Sequence, residues 1–415
     1  MEKNKTDIYV FADWKGLGGP QLIGTLSAQQ AKGRKAFSFS YEKTWLQRHE
    51  HILLDPDIQL FSGTQYPMGK ELFGLVLDSM PDTWGKMLLR RRAAQRALQE
   101  NTMPAALYDI DFLLGVYDKT RMGAFRFKLD KNGAFLDNDE YNPTPPWTSV
   151  RALQAAAHKI QDDNLANIKK WLAILIAPGS SLGGARPKAN VTDENGDLWI
   201  AKFPSKNDVV DKGAWEYLAY QLAVKAGIDM SPCKIEKVSG KFHTFFTKRF
   251  DRQGAERLHF ASAMTMTGNN EDTLKTKPGS YLDIVDFITA SGAQVTQNLH
   301  QLWRRIIFNI CISNTDDHLR NHGFMLSGKG WTLSPAYDLN PSTDKNGLAL
   351  NIDVHNNSLD LKLAKSVGAY FRLSDTEMNT IEAEVKESVS HWQENAKEIG
   401  ISRSEQELMR PAFRV

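Results

Sequence analysis

The sequence predicts an α+β fold in which a β-rich lobe is followed by a helical lobe. Pairs of strand-like segments joined by turn residues occur at 187–203 and 234–247, whereas the pattern from residue 281 onward is mainly helical. A loop-rich stretch at 313–345 interrupts this helical region. Strand pairs and helices that occupy separate parts of a chain are typical of α+β proteins.

The N-terminal part, residues 1–145, is predicted to form a small β/α domain. Aromatic and β-branched residues at Ile8–Phe11 and Ala36–Tyr41 favour strands, and apolar residues at helical spacing predict helices over 69–98. A further strand is predicted at Gly123–Phe127. The proline-rich stretch Asn142–Pro146 marks a domain boundary or a rigid connector.

Residues 146–280 are predicted to form the β-rich lobe, and residues 281–415 the helical lobe. The β-rich lobe opens with two helical stretches, about 148–161 and 164–176. The Asn-Gly pair between the first two strand-like segments is a strong hairpin signal. Helical spacing at Val209–Ala226 separates the two strand pairs, and a short strand is predicted at Trp331–Leu333.

Composition excludes several classes of protein. The 415 residues are 41% hydrophobic and 24% charged, which is ordinary for a globular protein, and the net charge of +2 gives no global electrostatic argument for nucleic acid. Two distant cysteines, Cys233 and Cys311, form neither a disulfide framework nor a zinc site, and we expect buried thiols. With no apolar run longer than Trp171–Pro178 and no leader-like N-terminus, we expect a cytoplasmic protein without a membrane span.

Residues suited to phosphate binding occur within the predicted β-rich lobe. The segment Ser180–Lys188, SSLGGARPK, places two adjacent glycines among small residues, so backbone N–H groups can approach an anion. A plain glycine-rich turn before a hairpin would have the same sequence. One hairpin later, Lys202 lies on a predicted strand, from which it can reach a phosphate, and Glu216 on the following helix can pair with it.

The strongest local signal is the loop Asn314–Gly323, NTDDHLRNHG. Its Asp316 and Asn321 have the spacing of the kinase catalytic loop, in which the aspartate faces the acceptor hydroxyl and the asparagine turns to a metal ion. Asp338 follows a short predicted strand, where a magnesium-binding aspartate is expected. The neighbouring Asp317 is a second candidate for the base, and spacing favours Asp316.

Two other interpretations of this loop remain open at this point. Asp316, Asp317, His318 and His322 together could hold a transition metal for hydrolysis. Alternatively, the loop could be polar and capped without any chemistry. The order of glycine-rich segment, lysine, glutamate, catalytic loop and aspartate favours phosphoryl transfer over both.

Several motifs resemble those of the HipA family, the kinase toxins of HipA–HipB toxin–antitoxin modules. In the N-terminal part these are DSMPDTWG at Asp78–Gly85 and RMGAFRF at Arg121–Phe127. Ser181–Lys188 resembles the family's SxxGAxxK loop, and Lys248–Arg252 resembles its (K/E)RFDR segment. The catalytic loop and Ala336–Asp338 are also similar to family motifs, so the resemblance covers nearly the whole chain.

The resemblance implies a bilobed protein-kinase-like fold with an N-terminal HipA-type subdomain, and an ATP- and Mg²⁺-dependent serine/threonine protein kinase. Asp316 would be the catalytic base, Asn321 and Asp338 would hold Mg²⁺, and Ser181, or alternatively Ser180, would be autophosphorylated, which switches the kinase off. The residues assigned to nucleotide binding are Lys202, Glu216, Ser181, Gly183, Gly184, Ala185, Lys188 and His318.

The resemblance also implies partners. We expect a HipB-like helix-turn-helix antitoxin, indirect DNA contact through that antitoxin, and a cytoplasmic protein substrate such as a translation factor or an aminoacyl-tRNA synthetase. Two alternatives from other classes are a catalytically silent kinase-fold scaffold acting as co-repressor and a small-molecule phosphotransferase.

Overall fold

The computed structural model describes residues 5–31, 34–49, 51–81, 83–137, 144–161, 171–172, 174–175 and 184–415. The chain forms two compact units. The first comprises Met1–Lys206 and Asp251–Ala261, and the second comprises Asn207–Phe250 and Ser262–Val415. The division predicted from the sequence, 1–145, 146–280 and 281–415, stays a prediction. Among the described residues, every helix is too short or too polar to cross a lipid bilayer.

The strands, numbered in chain order, are β1 Lys5–Ala12, β2 Gln21–Ala31, β3 Arg34–Tyr41, β4 Thr64–Gln65, β5 Phe125–Lys128, β6 Lys188–Thr192, β7 Leu198–Lys202, β8 Cys233–Glu236, β9 Thr244–Lys248, β10 Arg252–Gln253, β11 Glu256–Arg257, β12 Phe260–Ser262, β13 Gly323–Ser327 and β14 Gly330–Leu333.

The helices whose bounds lie within the described residues are α1 Lys43–Arg48, α2 Gly74–Asp78, α3 Thr83–Gln99, α4 Asp109–Leu114, α5 Val150–Gln161, α6 Lys212–Lys225, α7 Ala263–Met266, α8 Glu271–Thr276, α9 Tyr281–Ser291, α10 Val295–Cys311, α11 Leu361–Ser366, α12 Asp375–Ser390, α13 Trp392–Ile399 and α14 Arg403–Met409.

In the first unit, an antiparallel sheet of five strands forms the N-terminal core, in the order β4-β3-β2-β1-β5. Alternate residues of β1, namely Ile8, Val10 and Ala12, are buried because successive side chains of a strand point to opposite faces. The buried carboxylate of Asp55 accepts hydrogen bonds from the backbone N–H of Leu75 in α2 and of Asp57. Asp55 thereby joins α2 to the segment before it.

Also within the first unit, β6 and β7 form an antiparallel hairpin. Its turn is held by Asp193, whose carboxylate accepts from the N–H groups of Asn195 and Asp197 and from the Trp199 indole. The Asn-Gly hairpin predicted from the sequence is confirmed.

The second unit is mainly helical. Its centre is α10, which is buried along most of its length and packs against α9, α11 and α12. Helix α6 packs against α12 and α13, and the β8–β9 hairpin lies beside α6. After α10 the chain passes through an irregular loop into the β13–β14 hairpin.

Most predicted elements are confirmed, with several differences in extent. Residues 69–73 are not helical; α2 begins at Gly74, and Phe73 before it is extended. Helix α6 starts at Lys212 rather than at 209, since the Asp211 side chain caps it by accepting from the Ala214 N–H. Strand β5 begins at Phe125 rather than at 123. Of the predicted helix 164–176, residues 164–170, 173 and 176 lie outside the described residues.

The two cysteines differ in environment. Cys311 is buried, as expected, and burial raises the pKa of its thiol to about 12. Cys233 is only half-buried, at the start of β8, so the expectation of two buried thiols is wrong for this residue.

Candidate functional site

The glycine-rich segment is partly outside the described residues. Ser180, Ser181 and Gly183 are not described, whereas Gly184 and Ala185 are exposed. Gly184 has a positive φ of +76°, a conformation that L-residues with a side chain adopt rarely. Trp84 at the start of α3 contacts both ends of the described part, because its backbone N–H donates to the Gly184 carbonyl and its indole donates to the Lys188 carbonyl.

Two lysines lie opposite each other on the hairpin of the first unit. Lys188 in β6 pairs with Lys202 in β7, so both side chains leave the same face of the strand pair. Lys188 is 8% exposed. A Cβ atom placed on Gly184 would lie only 2.5 Å from the Lys188 ammonium nitrogen. The hairpin thus brings one cation directly against the glycine backbone, with a second cation on the neighbouring strand.

Glu216 lies in the second unit on α6 and is 7% exposed. Its helix is anchored at the N-terminus by Asp211, whose carboxylate also accepts from the His243 N–H and lies 2.6 Å from His243 Nδ1. The predicted pairing of Glu216 with Lys202 stays a prediction.

The predicted catalytic loop, in the second unit, places Asp316 at its surface. The loop begins after α10 with Ser313 in the left-handed region, at a φ of 51°, and the Asn314 amide donates to the Asn309 side chain of α10. The Asp316 side chain is 79% exposed, with one carboxylate oxygen 4.0 Å from the Lys345 ammonium. A carboxylate in this position is accessible to an acceptor hydroxyl.

Asp317, the next residue, has the opposite environment. Its side chain is 1% exposed. One carboxylate oxygen accepts hydrogen bonds from the Tyr281 hydroxyl at 2.5 Å, the Asn309 amide at 2.9 Å and His322 Nε2 at 2.8 Å. Burial, and then the neighbouring Asp317 carboxylate, raise the pKa of Tyr281 well above its ordinary value, so this phenol stays protonated and donates. These bonds commit Asp317 to holding the loop, which favours Asp316 as the base.

Arg305 on α10 supplies a buried cation near this network. Its guanidinium is fully buried and donates to the Ser334 carbonyl at 2.6 Å. Burial lowers the pKa of Arg305 to about 10, and the negative charge of Asp317 acts in the opposite direction. Arg305 therefore remains charged at neutral pH and offsets part of the cost of burying the Asp317 carboxylate.

Asn321 and Asp338, the predicted magnesium ligands, both belong to the second unit and have oxygen atoms suited to a hard cation. The Asn321 amide nitrogen donates to the Asp316 carbonyl at 3.1 Å. This bond does not use the amide oxygen, which is the atom that would bind a cation. Asp338 adopts a φ of 60°, and one of its carboxylate oxygens lies 3.4 Å from the Asn340 amide nitrogen. An amide oxygen and a carboxylate are ligand types that Mg²⁺ takes together with water and phosphate, and the assignment of both residues to one ion stays a prediction.

The transition-metal interpretation of the loop is not supported. Within the described ranges, no three His, Cys, Asp or Glu side chains are placed to hold a metal ion. His322 is hydrogen-bonded to Asp317, and Asp316 points to solvent. His318 is half-buried, and its carbonyl accepts from the Asn321 N–H; its predicted contact with the nucleotide stays a prediction.

Sequence patterns missed the residues that support the loop. Three of these residues lie outside the loop motif. Tyr281 and Asn309 precede Asp316 by 35 and 7 residues, and Lys345 follows it by 29. Tyr281 and Asn309 lie on helices with apolar periodicity, where a single polar residue carries little signal. A buried tyrosine or asparagine on such a helix needs a partner, and this requirement was the available clue.

The N-terminal family motifs make structural contacts within the first unit. The buried Arg121 guanidinium donates to the carbonyl groups of Ser79, Leu113 and Leu136 at 2.7, 2.9 and 3.0 Å. Burial lowers the pKa of Arg121 to about 10, so it remains charged at neutral pH. Arg121 therefore links the Asp78–Gly85 motif to the Arg121–Phe127 motif.

Asp251 and Arg252 make similar contacts in the first unit. The Asp251 carboxylate accepts from the Gly123 N–H at 2.8 Å and from Arg252 at 2.6 Å, and Arg252 also donates to the Arg121 carbonyl at 2.6 Å. The motifs around Arg121 and Asp251 therefore interlock.

The strands and helices of the two units define a protein of the α+β class. The family model described as the HipA-like C-terminal domain matches residues 180–393. The chain belongs to this HipA-like family.

The chain shares its fold with HipA of Shewanella oneidensis MR-1, solved as a toxin–antitoxin complex of HipA, HipB and operator DNA. The superposition covers 98% of this chain and 94% of that chain with a TM-score of 0.66 at 17% identity. The predicted fold class is confirmed. The alignment with the Helicobacter pylori proinflammatory kinase CtkA covers 51% of this chain and 94% of that chain, with a TM-score of 0.34 at 13% identity.

A curated relative, named "Putative kinase Y4mE", comes from Sinorhizobium fredii (strain NBRC 101917 / NGR234). It is 23% identical over 147 residues, which are 34% of this chain. The match spans 33% of the length of that relative.

Proposed function

We propose that the chain is a serine/threonine protein kinase of the HipA type that uses Mg²⁺-ATP. The observation that carries the proposal is the second unit's loop, in which an exposed Asp316 carboxylate, an Asn321 amide held by the Asp316 carbonyl and a buried Asp317 occur together. A loop of this kind presents one carboxylate for proton transfer and one oxygen ligand for a metal.

In this proposal each residue has one task. Asp316 orients the acceptor hydroxyl and accepts its proton. Asp317 stabilises the loop through its buried hydrogen bonds. Asn321 and Asp338 are the ligands for Mg²⁺, which when bound neutralises charge on the phosphates. Lys188 and Lys202 carry the positive charge that faces the nucleotide phosphates, and the exposed Gly184 backbone allows close approach of an anion.

The test is transfer of the labelled γ-phosphate of ATP to proteins of a cell extract. Asp316→Asn removes the base but keeps the shape of an exposed side chain, so we expect transfer to fall by about 10³-fold with the thermal midpoint unchanged. Asp344→Asn, a change at another exposed loop aspartate, is the matched control and should retain activity. Undiminished transfer by Asp316→Asn refutes the assignment.

We propose autophosphorylation at Ser181, with Ser180 as the alternative, on the basis of the family motif around Gly184. A phosphate adds about −1.5 to −2 charges to a segment that would otherwise bind the phosphates of ATP, so it should repel the nucleotide. Mass spectrometry after incubation with ATP should find one added phosphate on the peptide containing both serines. An unmodified peptide in an active sample contradicts this assignment.

We also propose that the chain is the toxin of a toxin–antitoxin module in the cytoplasm, acting on a cytoplasmic protein such as a translation factor or an aminoacyl-tRNA synthetase. Its partner would be a HipB-like helix-turn-helix antitoxin, through which it contacts DNA. The supporting observations are the family membership and the full-length structural similarity to a HipA solved with HipB and operator DNA. Operator retardation by the chain alone, without any partner, would contradict an indirect contact.

A further inference from the structure

A cleft of about 980 Å³ lies in the second unit, and of the residues that line it Lys345 has been described above, through its contact with Asp316. Its lining comes from three stretches: residues 276–278 at the end of α8, residues 345–349 with Asn351, and Val354 and His355 with Asn357. The second and third of these stretches follow Asp338 in the chain. Nothing in the catalytic assignments requires this cleft.

Backbone hydrogen bonds hold the walls of the cleft. The Leu348 N–H donates to the backbone carbonyl of Asn357 at 2.8 Å. The side-chain amide of Asn357 in turn donates to the Leu348 carbonyl at 2.6 Å. The Asn351 N–H donates to the Gly279 carbonyl at 2.9 Å. A Cβ on Gly347 would lie 2.9 Å from the Asn357 side chain, so glycine allows this close approach. The cleft is therefore a formed feature of the unit.

The cleft reaches the proposed catalytic base through Lys345. This residue lines the cleft, and its ammonium nitrogen lies 4.0 Å from an Asp316 carboxylate oxygen. A chain segment lying in the cleft would therefore pass beside the carboxylate that receives the acceptor proton.

The lining is basic and partly apolar. Lys277, Lys345 and His355 are exposed basic side chains, and none of the residues that line the cleft is acidic. Val354, at 63% exposure, adds apolar surface. Sites for small molecules instead enclose most of the ligand and aim a few polar groups inward. Exposed apolar and basic side chains around an open cleft suit a segment of another protein.

We propose that this cleft binds the segment of the protein substrate that carries the acceptor hydroxyl, and that it selects segments with acidic residues beside that hydroxyl. The inference rests on the proposed kinase function. Charge complementarity carries it, because a basic lining attracts carboxylates and disfavours basic segments. Lys345 also offsets the repulsion that the Asp316 carboxylate would exert on an acidic segment.

The experiment uses two pools of synthetic peptides of equal length with one central serine. In one pool the flanking positions are glutamate, and in the other they are lysine. The full-length protein, the double variant Lys277→Glu/His355→Glu and the control Lys397→Glu on α13 are compared. Lys397 is an exposed lysine on a helix that packs against α6, α12 and α14 rather than against the cleft. Acceptor-free ATP turnover is measured in parallel.

We expect the unmodified protein to prefer the acidic pool by about tenfold or more in kcat/KM, as attraction between charged side chains selects partners. The double variant should lose this preference through a higher KM, with acceptor-free ATP turnover unchanged. Lys397→Glu should behave like the unmodified protein.

Three outcomes overturn the inference while the kinase function stands: equal use of both pools, use of neither pool with ATP turnover present, or an unchanged preference in the double variant. The second of these would assign the cleft to an occupant other than an acidic protein segment. Absence of ATP turnover and of any transfer in the unmodified protein would instead refute the proposed function, and this inference with it.

Discussion

The β6–β7 hairpin of the first unit and the loop Asn314–Gly323 of the second present charge by different means. The hairpin is regular, and its cross-strand register alone places Lys188 opposite Lys202. The loop is irregular, and its exposed Asp316 depends on a buried neighbour, Asp317, that accepts from donors on α9, α10 and the end of the loop. A strand pair positions a side chain through its own ladder, whereas a loop needs a polar network beneath it.

This difference predicts how each region responds to mutation. Loss of a hairpin lysine should act mainly on nucleotide binding, because the ladder does not depend on the ammonium group. Loss of the loop's buried carboxylate should act on folding and activity together, because several donors would lose their acceptor.

The largest effect is expected for Asp317→Ala. Removing a buried carboxylate leaves the Tyr281, Asn309 and His322 donors without their acceptor and Arg305 without its nearby charge, which should cost about 3–5 kcal/mol. Urea unfolding followed by tryptophan fluorescence measures the loss, and Asp316→Ala at the exposed position is the matched control, expected within about 0.5 kcal/mol of the unmodified protein. Equal stability of the two variants would break the comparison.

A second buried carboxylate, Asp55 in the first unit, shows what burial does when the donors are backbone N–H groups. Burial raises the pKa of Asp55 from 3.8 to about 6. Between these values the folded state holds a proton that the unfolded state has lost, so this contribution to stability falls as the pH rises from about 4 to about 6. Over this range the free energy of unfolding loses about 3 kcal/mol of the contribution from Asp55.

Asp55→Asn removes that titration. The free energy of unfolding of the unmodified protein, minus that of Asp55→Asn, should therefore decrease by up to about 3 kcal/mol between pH 4 and pH 7. Denaturation curves of both proteins across this range measure it. A difference that stays constant with pH would show that the Asp55 pKa is ordinary in the folded state.

For the hairpin, Lys188→Met should weaken ATP binding by about tenfold, because one charge-assisted contact to a phosphate is lost. Isothermal titration with ATP and Mg²⁺ gives the dissociation constant. Lys128→Met on β5, which removes a strand lysine away from the hairpin, should bind ATP normally. If Lys188→Met also binds normally, the cation facing the glycine segment has no part in nucleotide binding.

The smallest effect is expected for Tyr281→Phe. It removes one of the three donors to Asp317 and leaves the carboxylate bonded to the other two, so it should cost about 1 kcal/mol. Tyr370→Phe, at a tyrosine 62% exposed, is the control and should be neutral. A loss from Tyr281→Phe as large as that from Asp317→Ala would mean that this single hydroxyl organises the whole network.

Local patterns predicted much of the fold. The β6–β7 hairpin follows from Asn195-Gly196 and the flanking β-branched and aromatic residues, and the α10 helix follows from its apolar periodicity. The bounds of strand β2 have a weak local signal, since its second half is rich in small and polar residues, and pairing with β1 and β3 decides its extent. The start of α6 depended on the Asp211 cap rather than on periodicity.

By itself, the sequence determined the order of motifs, the spacing of Asp316 and Asn321, and the choice of residue types that phosphoryl transfer requires. Spacing could not establish which of two adjacent aspartates is buried. The tertiary structure decided this, because burial of Asp317 depends on Tyr281 and Asn309 from helices before the loop. The basic cleft beside Asp316 is likewise a product of tertiary structure, since its walls come from separate stretches whose charges are unremarkable until they meet.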